Sequence, residues 1–267
     1  MESKIISVIN QKGGVGKTTT VINLAASLSI MGHRSLVVDL DPQGNATTGL
    51  GKSNTKDENN IYNLLIGNIA INEAIQNTDI ENLDLISSTV NLSGLEVETA
   101  TNEDRAFALK KIFEKSKSEI LNNYDYIFID CPPSLSLLTV IALVSSDELL
   151  VPLQTEFFAL EGITQLINTI DRIKDKLNPK LTVRGILLTM FDKRNKLSGE
   201  VDIEARNHFK SKVYNTVIPR NVRLSEAPSH GLPCVIYDKT CVGSKAYFDL
   251  AKEFLSSTKE ASAAWAK

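Results

Sequence analysis

Three cysteines in 267 residues, an odd number with no C-x-x-C pair, supply neither a disulfide framework nor the ligand spacing of a zinc site. Cys131, Cys234 and Cys241 therefore read as reduced thiols of a cytoplasmic protein. No apolar run approaches the roughly 18 residues that mark a membrane span. The N-terminus has no basic stretch leading into an apolar core and a cleavage site, so no secretory signal is visible. Internal repeats and a Pro/Gly-rich domain linker are also missing. Only a few residues precede the first strand candidate, which leaves no room for an N-terminal helix-turn-helix module; the expectation is one domain over residues 1–267. The formal net charge of −3 does not by itself point to a nucleic-acid partner.

The strand candidates are apolar almost throughout: 4–10 (KIISVIN), 35–41 (SLVVDLD), 83–87 (LDLIS), 124–130 (YDYIFID), 148–153 (ELLVPL), 183–191 (VRGILLTMF) and 213–219 (VYNTVIP). Helical periodicity separates most of them, over Lys17 to about Met31 and near 104–121, 135–145, 159–177 and 199–211. Continuous apolar strands alternating with helices predict an α/β fold, a doubly wound, mostly parallel sheet with helices on both faces. The polar stretch 51–60 (GKSNTKDENN) reads as a mobile surface loop.

Between the first strand and its helix lies GGVGKTTT, residues 13–20. Strand, glycine turn and helix N-terminus together form an anion cradle. Gly13, Gly14, Val15 and Gly16 supply the turn. Lys17 is placed to neutralise the β- and γ-phosphates of a nucleotide, the Thr18 hydroxyl to ligate Mg²⁺, and Thr19 to bond the α-phosphate. The usual pattern, G-x-x-x-x-G-K-[ST], is not met, because Gln11 stands where the first glycine belongs. Beside it is a second lysine, Lys12. A phosphate-loop enzyme also needs a carboxylate on the metal side of the nucleotide. Asp130 closes the apolar run YIFID and suits an aspartate that holds a Mg²⁺-bound water. Asp39 and Asp41 lie two apart at the end of the second run, on one face unless the strand has already ended. Asp39 is assigned to the metal's water shell. Asp41, which leads into a stretch read as flexible (PQGNATTG), is assigned to orienting the attacking water.

Charge is unevenly spread. Residues 172–223 carry thirteen Lys/Arg and five Asp/Glu, a balance of +8, so the remainder of the chain carries −11. Such asymmetry fits one basic face on an acidic body, although solvated helix surfaces would give the same count.

The segments KGGVGKTTT, VDLDPQGNATTGLG, DCPPSLSLLT, FFALEG and TVIPRNVRLSEAPSHG together resemble the ParA/Soj family of chromosome- and plasmid-partitioning ATPases, from about Lys4 to Leu255. The first segment alone reaches only the wider deviant Walker A class of P-loop NTPases, to which MinD and nitrogenase iron protein belong. The resemblance implies an ATP- and Mg²⁺-dependent ATPase, slow alone, that forms a homodimer on ATP. It gives Lys12 a role as a catalytic charge that reaches the partner subunit's phosphates, as an arginine finger does in trans. It implies nonspecific binding to double-stranded DNA at the nucleoid, with Arg194 and Arg223 matching DNA-contacting positions. Arg220, Lys193, Lys196, Lys210 and Lys212 are further phosphate-contact candidates. A ParB/Spo0J-type centromere-binding partner is implied as the stimulator of hydrolysis. Met190 and Pro219, near strand ends, are candidates for the adenine pocket.

Other functions make different demands. MinD-like membrane association needs a basic amphipathic helix; 244–257 (SKAYFDLAKEFLSS) has an apolar stripe of Tyr247, Leu250, Ala251 and Phe254, but its charges balance. That composition fits a helix docked on the domain and no membrane contact. A nitrogenase-type [4Fe–4S] cluster would need two cluster cysteines; Cys131 directly follows Asp130, and the contexts of Cys234 and Cys241 show no such signature. A biosynthetic ligase such as dethiobiotin synthetase would have a substrate pocket and no basic face.

Overall fold

The computed structural model describes residues 3–52, 58–116, 118, 121–156 and 159–264, with the backbone alone at 159–161 and 257–264. Among the described residues seven strands form one sheet: β1 (Lys4–Val8), β2 (Ser35–Asp39), β3 (Ile75–Asn77), β4 (Leu83–Ile86), β5 (Tyr126–Asp130), β6 (Glu148–Gln154) and β7 (Thr182–Thr189). Their spatial order is β3-β4-β2-β5-β1-β6-β7. Every pairing is parallel except that of the short edge strand β3 with β4.

Burial on both faces explains why the strands lack polar alternation. Along β5, Tyr126 and Phe128 enter the core that includes Val21, Leu24 and Leu28 of the first helix and Leu250 and Phe254 of the last. Ile127 and Ile129 point the other way, into a core with Leu109, Phe113, Ile141 and Ala142. A third cluster joins β6 and β7 to Ile163, Leu166 and Ile170 on one helix and to Val201 and Ala205 on another. The helices on these faces are Lys17–Ile30, Ala108–Ser116, Leu137–Ser145, Ala159–Lys176, Lys196–Phe209 and Val242–Ala264. Side chains that alternate between two covered layers must all be apolar, which is the pattern of a doubly wound sheet.

Two expectations change. Residues 213–219 do not form a strand; only isolated parallel bridges join Val213 to Ile186 and Pro219 to Phe191. Between them the amides of Asn215 and Thr216 donate to the carboxylate of Glu253, at 2.6 and 2.8 Å, so a side chain on the last helix replaces the β ladder. Residues 45–49, expected to be flexible, form the helix Asn45–Gly49, in which Ala46 and Thr47 are fully buried. The surface loop placed at 51–60 falls in part on 53–57, which lie outside the described residues; at its end Asn60 caps the helix Ile61–Leu65 by accepting from the Asn63 amide.

Register sets up the site. Val8 of β1 and Asp39 of β2 are both Cα partners of Asp130 on β5, so the central strands end level. The carboxyl ends of such strands, where the chain turns away in opposite directions, are where open parallel sheets bind ligands.

Candidate active site

The turn from β1 to the helix Lys17–Ile30 depends on two left-handed residues, Gly14 (φ 75°) and Gly16 (φ 88°). A Cβ would be strained at either position. Gly16 is the N-cap residue of that helix and no side chain caps it, so its first-turn N–H groups have no side-chain acceptor. The loop is held from behind by groups the sequence did not single out. The Asn10 amide donates to the Pro152 carbonyl (2.7 Å) while its oxygen accepts from the Lys12 amide (3.0 Å). The Thr189 hydroxyl, at the end of β7, donates to the Val15 carbonyl at 2.8 Å.

The two lysines of the loop occupy different surroundings. Lys17 is 7% exposed and its amine donates to the Lys12 carbonyl at 3.0 Å, closing the loop on itself. Burial lowers its pKa, while Asp130, Cys131 and Asp41 act to raise it. The Lys12 side chain is 53% exposed at the rim, and its amine pairs with Glu156 beyond the end of β6.

Opposite Lys17, the Thr18 hydroxyl donates to Asp130 Oδ2 at 2.7 Å. Asp130 is fully buried and its Oδ1 has no hydrogen-bond partner among the described residues. Burial, and then the nearby Asp39 carboxylate, push the Asp130 pKa well above the ordinary range. A buried carboxylate oxygen without a donor is costly unless a cation or its bound water completes the shell. A hydroxyl and a carboxylate, side by side next to an amine, are hard oxygen donors of the kind Mg²⁺ takes.

Asp39 is engaged differently. Its Oδ2 accepts both the amide and the hydroxyl of Thr47, each at 2.7 Å, and its Oδ1 accepts the Asp41 amide at 3.2 Å. Burial raises its pKa to about 6, against the effect of those donors. The geometry makes Asp39 the anchor of the helix Asn45–Gly49 and a negative neighbour of Asp130. Asp41 lies past the end of β2, so the two carboxylates are not held to one face by strand pleating. Asp41 Oδ1 accepts the Gln43 amide at 3.0 Å in a tight turn, and the residue lines the cavity.

That cavity, about 630 Å³, runs from Gly13, Gly14, Gly16, Lys17, Thr18 and Thr19 to Met190, Pro219 and Arg220. The two predicted adenine residues thus share one pocket with the phosphate loop. Met190 has φ 52°, a left-handed conformation that a branched or long side chain seldom adopts without support. Val15 is buried under the loop, and Lys12 stands outside the cavity lining.

The basic residues gather along the same edge. Arg220 donates its amide to the Phe191 carbonyl at 3.1 Å, so Phe191 is bridged to the 218–220 segment. Asp192 is gripped by the Arg194 guanidinium through two contacts, at 3.1 and 3.0 Å, and its pKa is lowered to about 2. Arg223 pairs with Glu226 at 2.7 Å and approaches Asp238 at 3.5 Å. Lys196 sits 3.3 Å from Glu200, and Lys212 donates to the Val183 carbonyl at 2.8 Å. Arg220 lies near enough to Asp192 to help lower its pKa, whereas the Lys212 amine is turned back onto β7. Phe157 and Phe158, in the quoted FFALEG, lie outside the described residues.

Glu156, Asn10, Thr47 and Thr189 are the site residues that the sequence did not reveal. Glu156, Asn10 and Thr189 act through contacts with residues more than a hundred positions away, and Thr47 through Asp39, eight residues before it.

A glycine loop between a central parallel strand and a helix, a buried lysine in its mouth and a Thr–Asp pair beside it define a P-loop NTPase fold of the deviant class, with a second lysine at the rim. Comparison with known proteins narrows the class. Residues 3–183 match the profile of a family described as an AAA domain. The chain is 47% identical over 257 residues to the chromosome partitioning protein ParA of Caulobacter vibrioides, covering 96% of each. It is 50% identical over 250 residues to the sporulation initiation inhibitor protein Soj of Bacillus subtilis, covering 94% of this chain and 97% of that one. Among solved structures, a cobyrinic acid a,c-diamide synthase from Mycobacterium smegmatis with bound ADP and magnesium superposes with a TM-score of 0.82 at 32% identity, 96% of each chain covered. The septum site-determining protein MinD of Pyrococcus horikoshii, complexed with Mg-ADP, gives 0.76 at 25% identity, with 94% of this chain and 95% of that chain covered. The chain belongs to the ParA/Soj family of chromosome-partitioning ATPases.

Proposed function

We propose that this protein is a Mg²⁺-dependent ATPase that dimerises on ATP, binds double-stranded DNA without sequence preference and drives chromosome or plasmid segregation with a ParB-type partner. The observation that carries this reading is the division of labour between Lys17, buried in its own loop, and Lys12, exposed at the rim. An amine outside its own cradle reaches a phosphate only if a second subunit brings one. Charge aimed from outside at a transferring phosphoryl group is how a finger residue acts.

The chain's groups then have separate tasks. The unspent N–H groups of the helix Lys17–Ile30 and the Lys17 amine bind the phosphates. Thr18 directly, and Asp130 through a water, would hold Mg²⁺, whose charge offsets that developing on the phosphate oxygens. Asp39 fixes the turn that carries Asp41, and Asp41 orients the attacking water. Met190 and Pro219 enclose the adenine. Arg194, Arg220, Arg223 and the neighbouring Lys193 and Lys196 face phosphates of the duplex, where affinity comes from counterion release and falls with salt. In this reading the protein works in the cytoplasm at the nucleoid.

A MinD-like membrane role fits less well. Tyr247, Leu250, Ala251 and Phe254 are at most 1% exposed, packed on the helix Lys17–Ile30, so this stripe is not available to lipid. Among the described residues no helix is long and apolar enough to cross a membrane.

The test is Lys12→Ala. With a non-hydrolysable ATP analogue, the variant should bind nucleotide as the parent does but stay monomeric by sedimentation, and should lose retention of random-sequence DNA. A variant that dimerises as the parent does overturns the trans role.

A further inference from the structure

Behind the wall of the nucleotide cavity, two of the three thiols of the chain touch. Cys234 Sγ and Cys241 Sγ are 3.5 Å apart. Cys234 is fully buried at the start of the helix Cys234–Tyr237, and Cys241 is half-buried just before the helix Val242–Ala264. Ser244 holds both in place. Its hydroxyl lies 3.3 Å from each sulfur and donates to the Asp238 carbonyl at 2.7 Å, and its amide donates to Cys241 Sγ at 3.4 Å. The third thiol, Cys131, is 1% exposed beside Asp130, and burial raises its pKa, so it remains a protonated bystander.

We propose that Cys234 and Cys241 form a reversible thiol–disulfide pair, oxidised by hydrogen peroxide, that restrains the cavity wall and slows nucleotide release. The sulfur of Cys241, the less buried of the two, attacks one peroxide oxygen; the O–O bond breaks, and the departing hydroxide leaves as water with the thiol proton. The Cys241 sulfenic acid is then attacked by the Cys234 sulfur, the S–O bond breaks, and a second water carries off the Cys234 proton. Two thiols lose two electrons and two protons in all, and one peroxide is reduced to two waters. Closing the bond requires the sulfurs to approach from 3.5 Å to about 2.05 Å. That is a small displacement for residues at the ends of a short turn. Burial pushes the Cys234 thiol up to about 12, which fits a resolving role and leaves first attack to Cys241.

The turn between the two cysteines is connected to the site. Tyr237 stacks on His230 with ring centroids 4.8 Å apart, and Asp238 reaches to 3.5 Å from the Arg223 guanidinium. Gly243, two residues past Cys241, lies so close to Leu224 that an added Cβ would sit 2.8 Å from its Cγ. Leu224 lines the cavity, so tension at 241–243 is passed to the wall. The effect on release rests on the nucleotide reading above; formation of the bond does not.

The experiment treats the purified full chain with hydrogen peroxide, quenches with catalase, and alkylates in denaturant. The reduced protein should take up three alkyl groups and the oxidised protein one, on Cys131. Trypsin cuts at Lys239, so the peptides carrying Cys234 and Cys241 should run joined without reductant and separate with dithiothreitol. Three alkyl groups after oxidation, a sulfinic acid on Cys241, or a link between two chains would each refute the pair. Cys234→Ala should stop at the Cys241 sulfenic acid, trapped by dimedone; absence of the dimedone adduct refutes the order of attack. Release of a fluorescent ADP analogue should be at least several-fold slower from the oxidised protein and recover on reduction. An unchanged release rate with the bond in place refutes the coupling to the cavity while leaving the nucleotide site intact.

Discussion

Replacing Glu156 by glutamine removes the charge that holds Lys12 against its own subunit. The two side chains are 53% and 28% exposed, so the pair is a surface one and contributes about 0.2–1 kcal/mol. If Lys12 must leave Glu156 to reach a partner's phosphates, that contribution opposes dimerisation once per subunit. Two pairs per dimer then oppose association by about 0.4–2 kcal/mol, or roughly 2- to 30-fold in the dimer dissociation constant. Glutamine keeps the shape and a hydrogen-bonding oxygen, so packing around it should not change. Sedimentation velocity across a concentration series, with a non-hydrolysable ATP analogue and Mg²⁺, should show Glu156→Gln dimerising more tightly than the parent within that range. The difference should shrink at high salt, since exposed charges are screened. Equal or weaker dimerisation would show that Glu156 does not compete for Lys12, and the argument would fail.

Asp41→Ala should bind ATP and DNA but persist as a dimer on DNA, because the water-orienting carboxylate is gone; phosphate release at the parent's rate would refute its assignment. Arg223→Glu should abolish the mobility shift of random DNA while leaving dimerisation unchanged, and milder losses at Arg220 or Lys193 should each lower the log–log salt slope by about 0.9. The pH dependence has a defined sign. A carboxyl raised from 3.8 to about 6 by burial, as Asp39 is, stabilises the fold fully below pH 3.8, and that contribution is lost as pH rises through 6. Its size is of order 3 kcal/mol at 1.36 kcal/mol per pH unit. Urea unfolding at pH 4.5 and 7.5 should therefore show a smaller loss of stability on raising pH in Asp39→Asn than in the parent; an equal loss in both would place the shift elsewhere.

Much of this architecture is local, and local order is written into neighbouring residues. The apolar runs at 4–10, 124–130 and 148–153 read as strands covered on both faces and are so, and GGVGKTTT between a strand and a helix reads as an anion-binding turn. Segment 213–219 misled for the same reason: its β-branched residues are fit for a strand, but Glu253 on the last helix accepts the amides a ladder would have used. PQGNATTG reads as a loose loop because glycine, asparagine and threonine favour turns. It is ordered because Thr47 finds the buried Asp39.

Residue type and spacing were enough to announce the chemistry of the loop, since a lysine and a threonine following a tight glycine turn leave few alternatives. They could not say which carboxylate oxygen lacks a donor, that Glu156 meets Lys12, or that two thiols seven residues apart lie in contact. Each of those facts joins segments through space, and electrostatics and close packing act on distance in the folded chain, which sequence separation does not record.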